Sequence, residues 1–186
     1  MELGLTFPLQ RFLRRQPPPC GDAADLGRCW DLHVISLGGQ HSLLAVHSLT
    51  RYAFVRFRVP PLLWADLAGL FREGLQESLC AAGFSPPAID AYLRQGQPMT
   101  FTRTHGRRPV AFLNRAWEDV LALDLCLDPD RQAQPLLDHA VNCRPCRCAG
   151  EDGLGTGAER MERFLAGKFP FETQGSSGRP SAPGRK

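Results

Sequence analysis

Between residues 28 and 79 the hydrophobic period changes once, and that change limits the possible folds more than any other feature. The runs "RCWDLHVISL", "HSLLAVHS" and "RYAFVRFRV" have strand composition and are separated by "GGQ" and by a turn near residues 48–51. Such spacing predicts an antiparallel meander. In the third run Ala53, Val55 and Phe57 alternate with Phe54, Arg56 and Arg58, so one face is apolar and the other ends in two arginines. Pro60 and Pro61 end the strand. From there Leu63, Leu67, Leu70, Phe71, Leu75 and Leu79 recur at helical spacing until Gly83 stops the helix.

Flanking segments complete an α+β pattern. "ELGLT" predicts a strand, "FPLQRFLRR" a short helix, and residues 17–27 a surface loop. "SPPAIDAYLRQG" carries a serine cap, first-turn prolines and a terminal glycine, which predicts a second helix. "QPMTFTRTH" predicts a strand, Gly106 a turn, and Pro109 the first turn of a helix that aims Val110, Leu113, Trp117, Val120 and Leu121 at a core. Asn114 interrupts that apolar stripe. The expected architecture is an antiparallel sheet of about five strands with helices packed on one face, spanning residues 1–127. Residues 128–172 form a less ordered extension with a cysteine cluster and short helices around "QAQPLLDHAVN" and "AERMERFLAG". Residues 173–186, rich in proline, glycine and serine, are expected to be disordered.

Of the 186 residues, 43% are apolar, enough for one domain with a real core. The 22 basic and 19 acidic groups leave a net charge of +3, too little for a whole-molecule field that demands nucleic acid or membrane. Any anion site must therefore be local. Twenty of the 22 basic residues are arginine, which suits forked contacts to phosphate but also follows from a GC-rich genome. No apolar run reaches a membrane span, and "MELGLTFPLQRFLRRQPPPC" lacks the basic-then-apolar order of a signal peptide, so a cytoplasmic location without membrane partners is expected. Seven cysteines in such a chain are expected to be reduced thiols, with Cys80 and Cys126 as small core residues.

The segment "TFTRTHGRRPVAFLNRAWEDVL" holds the principal candidate site. A strand leading through glycine into a helix aims unpaired N–H groups at one point. Thr102 and Thr104 share a strand face there, Arg107 and Arg108 add charge, and Asn114 lies two turns along. Together they suit a phosphate or carboxylate. The structural alternative is that threonine merely favours strands, surface arginines are solvated, and Asn114 satisfies a backbone group. Arg56 and Arg58 offer a secondary basic face.

His139, Cys143, Cys146 and Cys148 within "HAVNCRPCRC" are weak metal candidates, because a second well-separated ligand pair is missing; no cofactor is expected. His41 and His47 read as ordinary surface histidines. The chain shows no nucleophile elbow, phosphate-binding glycine loop or close carboxylate pair on a strand end. The expected function is a non-catalytic module that binds a phosphate-bearing partner, nucleic acid, through Thr102, Thr104, Arg107, Arg108 and Asn114. The alternatives are a metal-independent endoribonuclease of toxin type, with a neutral His105 as acid or base, and a protein-interaction module with no anion site.

The order of "W-x-x-x-x-x-x-L" at Trp30, "TRYAFV", "AAGFSPPAIDAYL" and "FTRTHGRRPVAFLNRAWEDV" resembles a bacterial domain family of unknown function, numbered 6933, over roughly residues 1–125. The resemblance implies that Thr102, Thr104, Arg107 and Asn114 occupy the family's characteristic positions, and Trp30 and Arg51 lesser ones. Gly106 stands where the family often has an acidic residue. The resemblance implies no activity.

Overall fold

The computed structural model of the protein describes residues 1–22, 24–147 and 153–168. Strand β1 (Glu2–Leu5) runs directly into α1 (Phe7–Phe12), whose first turn is capped by the Thr6 side chain. A loop and a 3-10 turn lead to the meander β2 (Cys29–Leu37), β3 (Gln40–His47) and β4 (Ala53–Arg56). Helices α2 (Leu67–Ala81) and α3 (Pro86–Gln95) follow, then β5 (Thr100–Arg103), α4 (Arg107–Ala122) and α5 (Pro135–Asn142). A two-residue hairpin, β6 (Cys146–Arg147) with β7 (Leu154–Gly155), precedes α6 (Gly157–Lys168).

The sheet order is β4-β3-β2-β1-β5. The meander is antiparallel, but β1 lies parallel to both β2 and β5. The sheet is therefore mixed, which corrects the expectation of a purely antiparallel one. The reason is topological: α1 with its loop carries the chain from β1 to β2, and α2 with α3 carries it from β4 to the far edge. Parallel neighbours require such crossovers.

The helices also cover both faces of the sheet instead of one. On one face Leu3, Trp30, Leu43 and Phe54 pack against Phe71 of α2, Tyr92 of α3 and Met161 of α6. On the other, Leu44, Val46 and Val55 meet Leu113 and Val120 of α4 and Leu137 of α5. Strand β3 is buried on both faces from Ser42 to His47, so its apolar residues need two covering layers.

Helix α4 is rotated relative to the expected stripe. Leu113, Ala116 and Val120 face the core, while Asn114 and Leu121 are exposed and Trp117 is exposed to 37%. The buried stripe includes Asp119 because Arg51, Arg115 and Arg144 approach its carboxylate at 3.6, 3.5 and 3.3 Å. Trp117 stacks edge-on against His33.

The C-terminal helices belong to the packed body. Asn142 of α5 accepts the Ala53 N–H at 2.8 Å and donates to the Ala53 carbonyl at 2.7 Å, and Asp138 accepts the Val55 N–H at 2.9 Å. These side chains complete the open edge of β4. Met161 and Leu165 of α6 are buried in the first core. Residues 173–186 and Cys148 lie outside the described residues.

Two smaller expectations are corrected. Cys80 is exposed and so is not a core residue, whereas Cys126 is half-buried against the second core and Cys29 is buried. His47 is buried, not a surface residue: its Nδ1 meets Thr50 Oγ1 at 2.8 Å and accepts the Thr50 N–H, while Nε2 faces the Gly27 carbonyl at 3.1 Å. Burial pushes its pKa down to about 4, so the ring is neutral with the proton on Nε2.

Candidate functional site: the β5–α4 junction and the polar floor beneath it

The registers place Glu2 beside Cys29 and Thr100, and Gly4 beside Asp31 and Thr102. Neighbours in register share a sheet face, so these residues form a polar floor across β5, β1 and β2. Gly4 leaves a gap in that floor. The His105 side chain descends into it from the β5–α4 turn: a Cβ on Gly4 would collide with Asp31 Oδ1 and come within 2.9 Å of the imidazole.

His105 is held on every side. Its Nδ1 lies 3.1 Å from Asp31 Oδ1, and its backbone N–H donates to the same oxygen at 3.1 Å. Nε2 lies 3.2 Å from Glu2 Oε2 and 3.4 Å from Thr102 Oγ1. Asp31 is wholly buried, and its second oxygen accepts from Ser48 Oγ at 3.1 Å. Burial alone would lower the pKa of His105, but the hydrogen bond and charge of Asp31, with Cys29 adjacent, outweigh it and raise the value to about 10. The imidazole is therefore protonated at neutral pH. That corrects the expectation of a neutral ring suited to act as a base, which counted the neighbouring arginines and missed the two carboxylates.

The loop before β2 closes over the floor. Pro19 accepts the Arg103 N–H at 2.9 Å, Asp22 N–H donates to Glu2 Oε1 at 3.1 Å, and Gly21 packs against Glu2 and Thr102 so closely that a Cβ would strike them.

Above the floor the chain turns at Gly106, with φ 103°, into α4. This helix start has no side-chain cap and no acidic residue in its first turn. Instead it opens with Arg107 and Arg108, both exposed and, among the described residues, without an acidic partner. Arg103 is exposed on β5, donating to the Pro18 carbonyl at 3.2 Å, and the Arg15 guanidinium lies 4.6 Å above the Phe101 ring on the same strand. Arg103 and Arg15 thus lie on the α1 side of the sheet at the β5 edge, and Arg107 and Arg108 at the start of α4 on the other side.

The sequence-predicted residues are partly brought together. Thr104, Arg107 and Arg108 meet at the turn by chain continuity. Thr102 is buried beneath them on His105, and Asn114 is exposed seven residues into α4, about 10 Å from Arg107 on the same helix face. Arg56 and Arg58 stand at the opposite edge of the sheet, where Arg56 is buried in a pair with Glu77 and donates to Gln132 at 2.6 Å. In the C-terminal cluster Cys143 Sγ lies 3.6 Å from His139 Nε2, but Cys146 Sγ instead accepts from Arg160 at 3.1 Å, in the β6–β7 hairpin. Among the described residues, the group whose ligand atoms converge closely enough to hold a metal is Glu2, Cys29 and His105.

Sequence reasoning missed Glu2, Gly4, Cys29, Asp31 and Ser48. The available signal was a lone acid inside the apolar run "CWDLHVISL" and another opening "ELGLT". Glu2 and Asp31, on adjacent strands, hold opposite nitrogens of the His105 ring.

A family profile for DUF6933, a domain of unknown function, matches residues 2–159. The chain belongs to this family. The DUF6933 match extends past α4 through α5 and the β6–β7 hairpin, in keeping with the packing of α5 against β4. The whole floor around His105 therefore falls within the DUF6933 region. No curated protein matches the sequence. Among the described residues no helix is long and apolar enough to cross a membrane.

Proposed function

We propose that the protein is a non-catalytic module that binds a phosphate-bearing partner, nucleic acid, at the start of α4. One observation carries the reading. A helix N-terminus has partial positive charge and favours acidic residues, yet α4 places there two arginines without an acidic partner among the described residues, and no side-chain cap. That concentration of like charge costs stability in the free protein and is offset when an anion docks. The exposed N–H groups of the first turn, Thr104, Arg107 and Arg108 would grip one phosphate. Arg103 and Arg15 along β5, and Asn114 along α4, would reach its neighbours. His105 faces away from this surface into the sheet, which favours binding over cleavage.

The test is fluorescence anisotropy with labelled single-stranded RNA and duplex DNA over a series of salt concentrations. The expected result is affinity that falls steeply with salt, and an R107A/R108A variant that binds more weakly with a shallower slope, by about 0.7–0.9 for each phosphate no longer neutralised. Affinity insensitive to salt, or unchanged in the double variant, would overturn the proposal. RNA incubated with the protein and a chelator should remain intact.

A further inference from the structure

Three side chains of different chemistry converge beneath the start of α4, and they do so independently of its arginines. Glu2 opens β1 and Cys29 opens β2 as register partners, so the carboxylate and the thiol leave the same sheet face. His105 comes down on that face over Gly4, its Nε2 3.2 Å from Glu2 Oε2. The three ligand atoms all lie within 4.8 Å of one another. A tetrahedral zinc ion, bonded at about 2.0–2.3 Å to N, O and S, holds its ligand atoms about 3.3–3.5 Å apart. The histidine–carboxylate separation of 3.2 Å is already near that value, and small side-chain rotations close the remainder.

The surroundings are those of a ligand set, not of a chance meeting. Nδ1–H of His105 donates to Asp31 Oδ1, which fixes the ring and turns Nε2 toward Glu2 and Cys29. Metal-bound histidines are oriented by a carboxylate in this way. Asp31 is itself fixed by Ser48 Oγ and by the His105 N–H. Cys29 is buried, and its thiol donates to the Asp25 carbonyl at 3.3 Å. Glu2 and Cys29 also line a cleft of about 280 Å³ whose other walls include Asp22, Asp25 and Arg28. A mixed N, S and O donor set selects a borderline ion such as zinc over magnesium or calcium.

We infer that Glu2, Cys29 and His105 bind one divalent ion of the zinc class, oriented by Asp31, with the fourth coordination position open to the cleft for water. Ligation replaces the proton on His105 Nε2 and the proton on Cys29 Sγ, both released to solvent.

The experiment is cobalt(II) titration of the full chain, purified under reducing conditions and stripped of metal, followed by competition with zinc. The expected result is a saturable single-equivalent site with a thiolate-to-cobalt charge-transfer band and the visible bands of tetrahedral cobalt, both bleached by zinc. C29S should lose the charge-transfer band, E2Q should bind more weakly, and D31N should weaken binding about 10–100-fold, as loss of an orienting partner does. C143S should be unaffected. Circular dichroism checks that each variant is folded, and the partly exposed Glu2 keeps the test available if a buried variant is not. The absence of a saturable site would overturn the inference, as would a charge-transfer band that survives C29S or vanishes in C143S.

Discussion

Gly4 shows how one missing side chain organises the site. A Cβ at residue 4 would collide with Asp31 Oδ1, and the His105 ring borders the same space at 2.9 Å. Gly4→Ala must therefore displace the imidazole or the buried carboxylate. It is expected to destabilise the protein by about 1–3 kcal/mol, the usual cost of overpacking, measured by urea unfolding. A variant as stable as wild type would mean that His105 is not seated as described. Thr102 and His105 were legible in the sequence, because a strand, a glycine and a helix start are all local signals. Asp31 and Glu2 were not, because their relation to His105 depends on β1 lying between β2 and β5, and nothing local encodes that pairing.

At the scale of elements, the edge of β4 is completed by side chains of α5, and that arrangement has a pH signature. Asp138 accepts from Val55 N–H and from Ser78 Oγ at 2.9 Å each. Burial nevertheless raises its pKa from 3.8 to about 8, against the pull of those bonds and of Arg56. Between those values the folded chain keeps a proton that the unfolded chain has released, so rising pH favours unfolding. The contribution of Asp138 is greatest below about pH 3.8, declines as pH rises, and levels off above about pH 8. Asp138→Asn removes the titration. The stability difference between wild type and D138N, from urea unfolding at several pH values, should shift against wild type across that window. Taking the difference cancels His47, whose lowered pKa acts in the opposite sense, with stability lost as pH falls from 6.5 toward 4. A pH-independent difference would contradict this account of Asp138. The helices and the five strands of the main sheet were legible in the sequence, including α5 and α6, whereas the β6–β7 hairpin was not. The sides the helices cover were not: β3 is apolar on both faces, and such a pattern does not say which helix lies on which side.

Across the whole molecule, charge is distributed so that local arrangement matters more than the net +3. Arg56 at the β4 edge is committed to Glu77, and Arg51, Arg115 and Arg144 to Asp119, while Arg58 is exposed without an acidic partner among the described residues. The arginines at the opposite edge, from Arg103 to Arg108, have no acidic partner among the described residues. The sequence showed arginine scattered evenly; folding sorts it into paired and unpaired groups, which is why Arg56 looked equivalent to Arg107. The central claim is that the start of α4 receives a phosphate. The most direct measurement is an amide-resolved NMR titration of the isotope-labelled protein with a short single-stranded oligonucleotide. The account predicts the largest shift changes at the amides of Gly106, Arg107 and Arg108, spreading to Arg103 and Asn114. Changes centred at the Arg56 edge or on the α5–α6 surface, or none at saturating oligonucleotide, would contradict it.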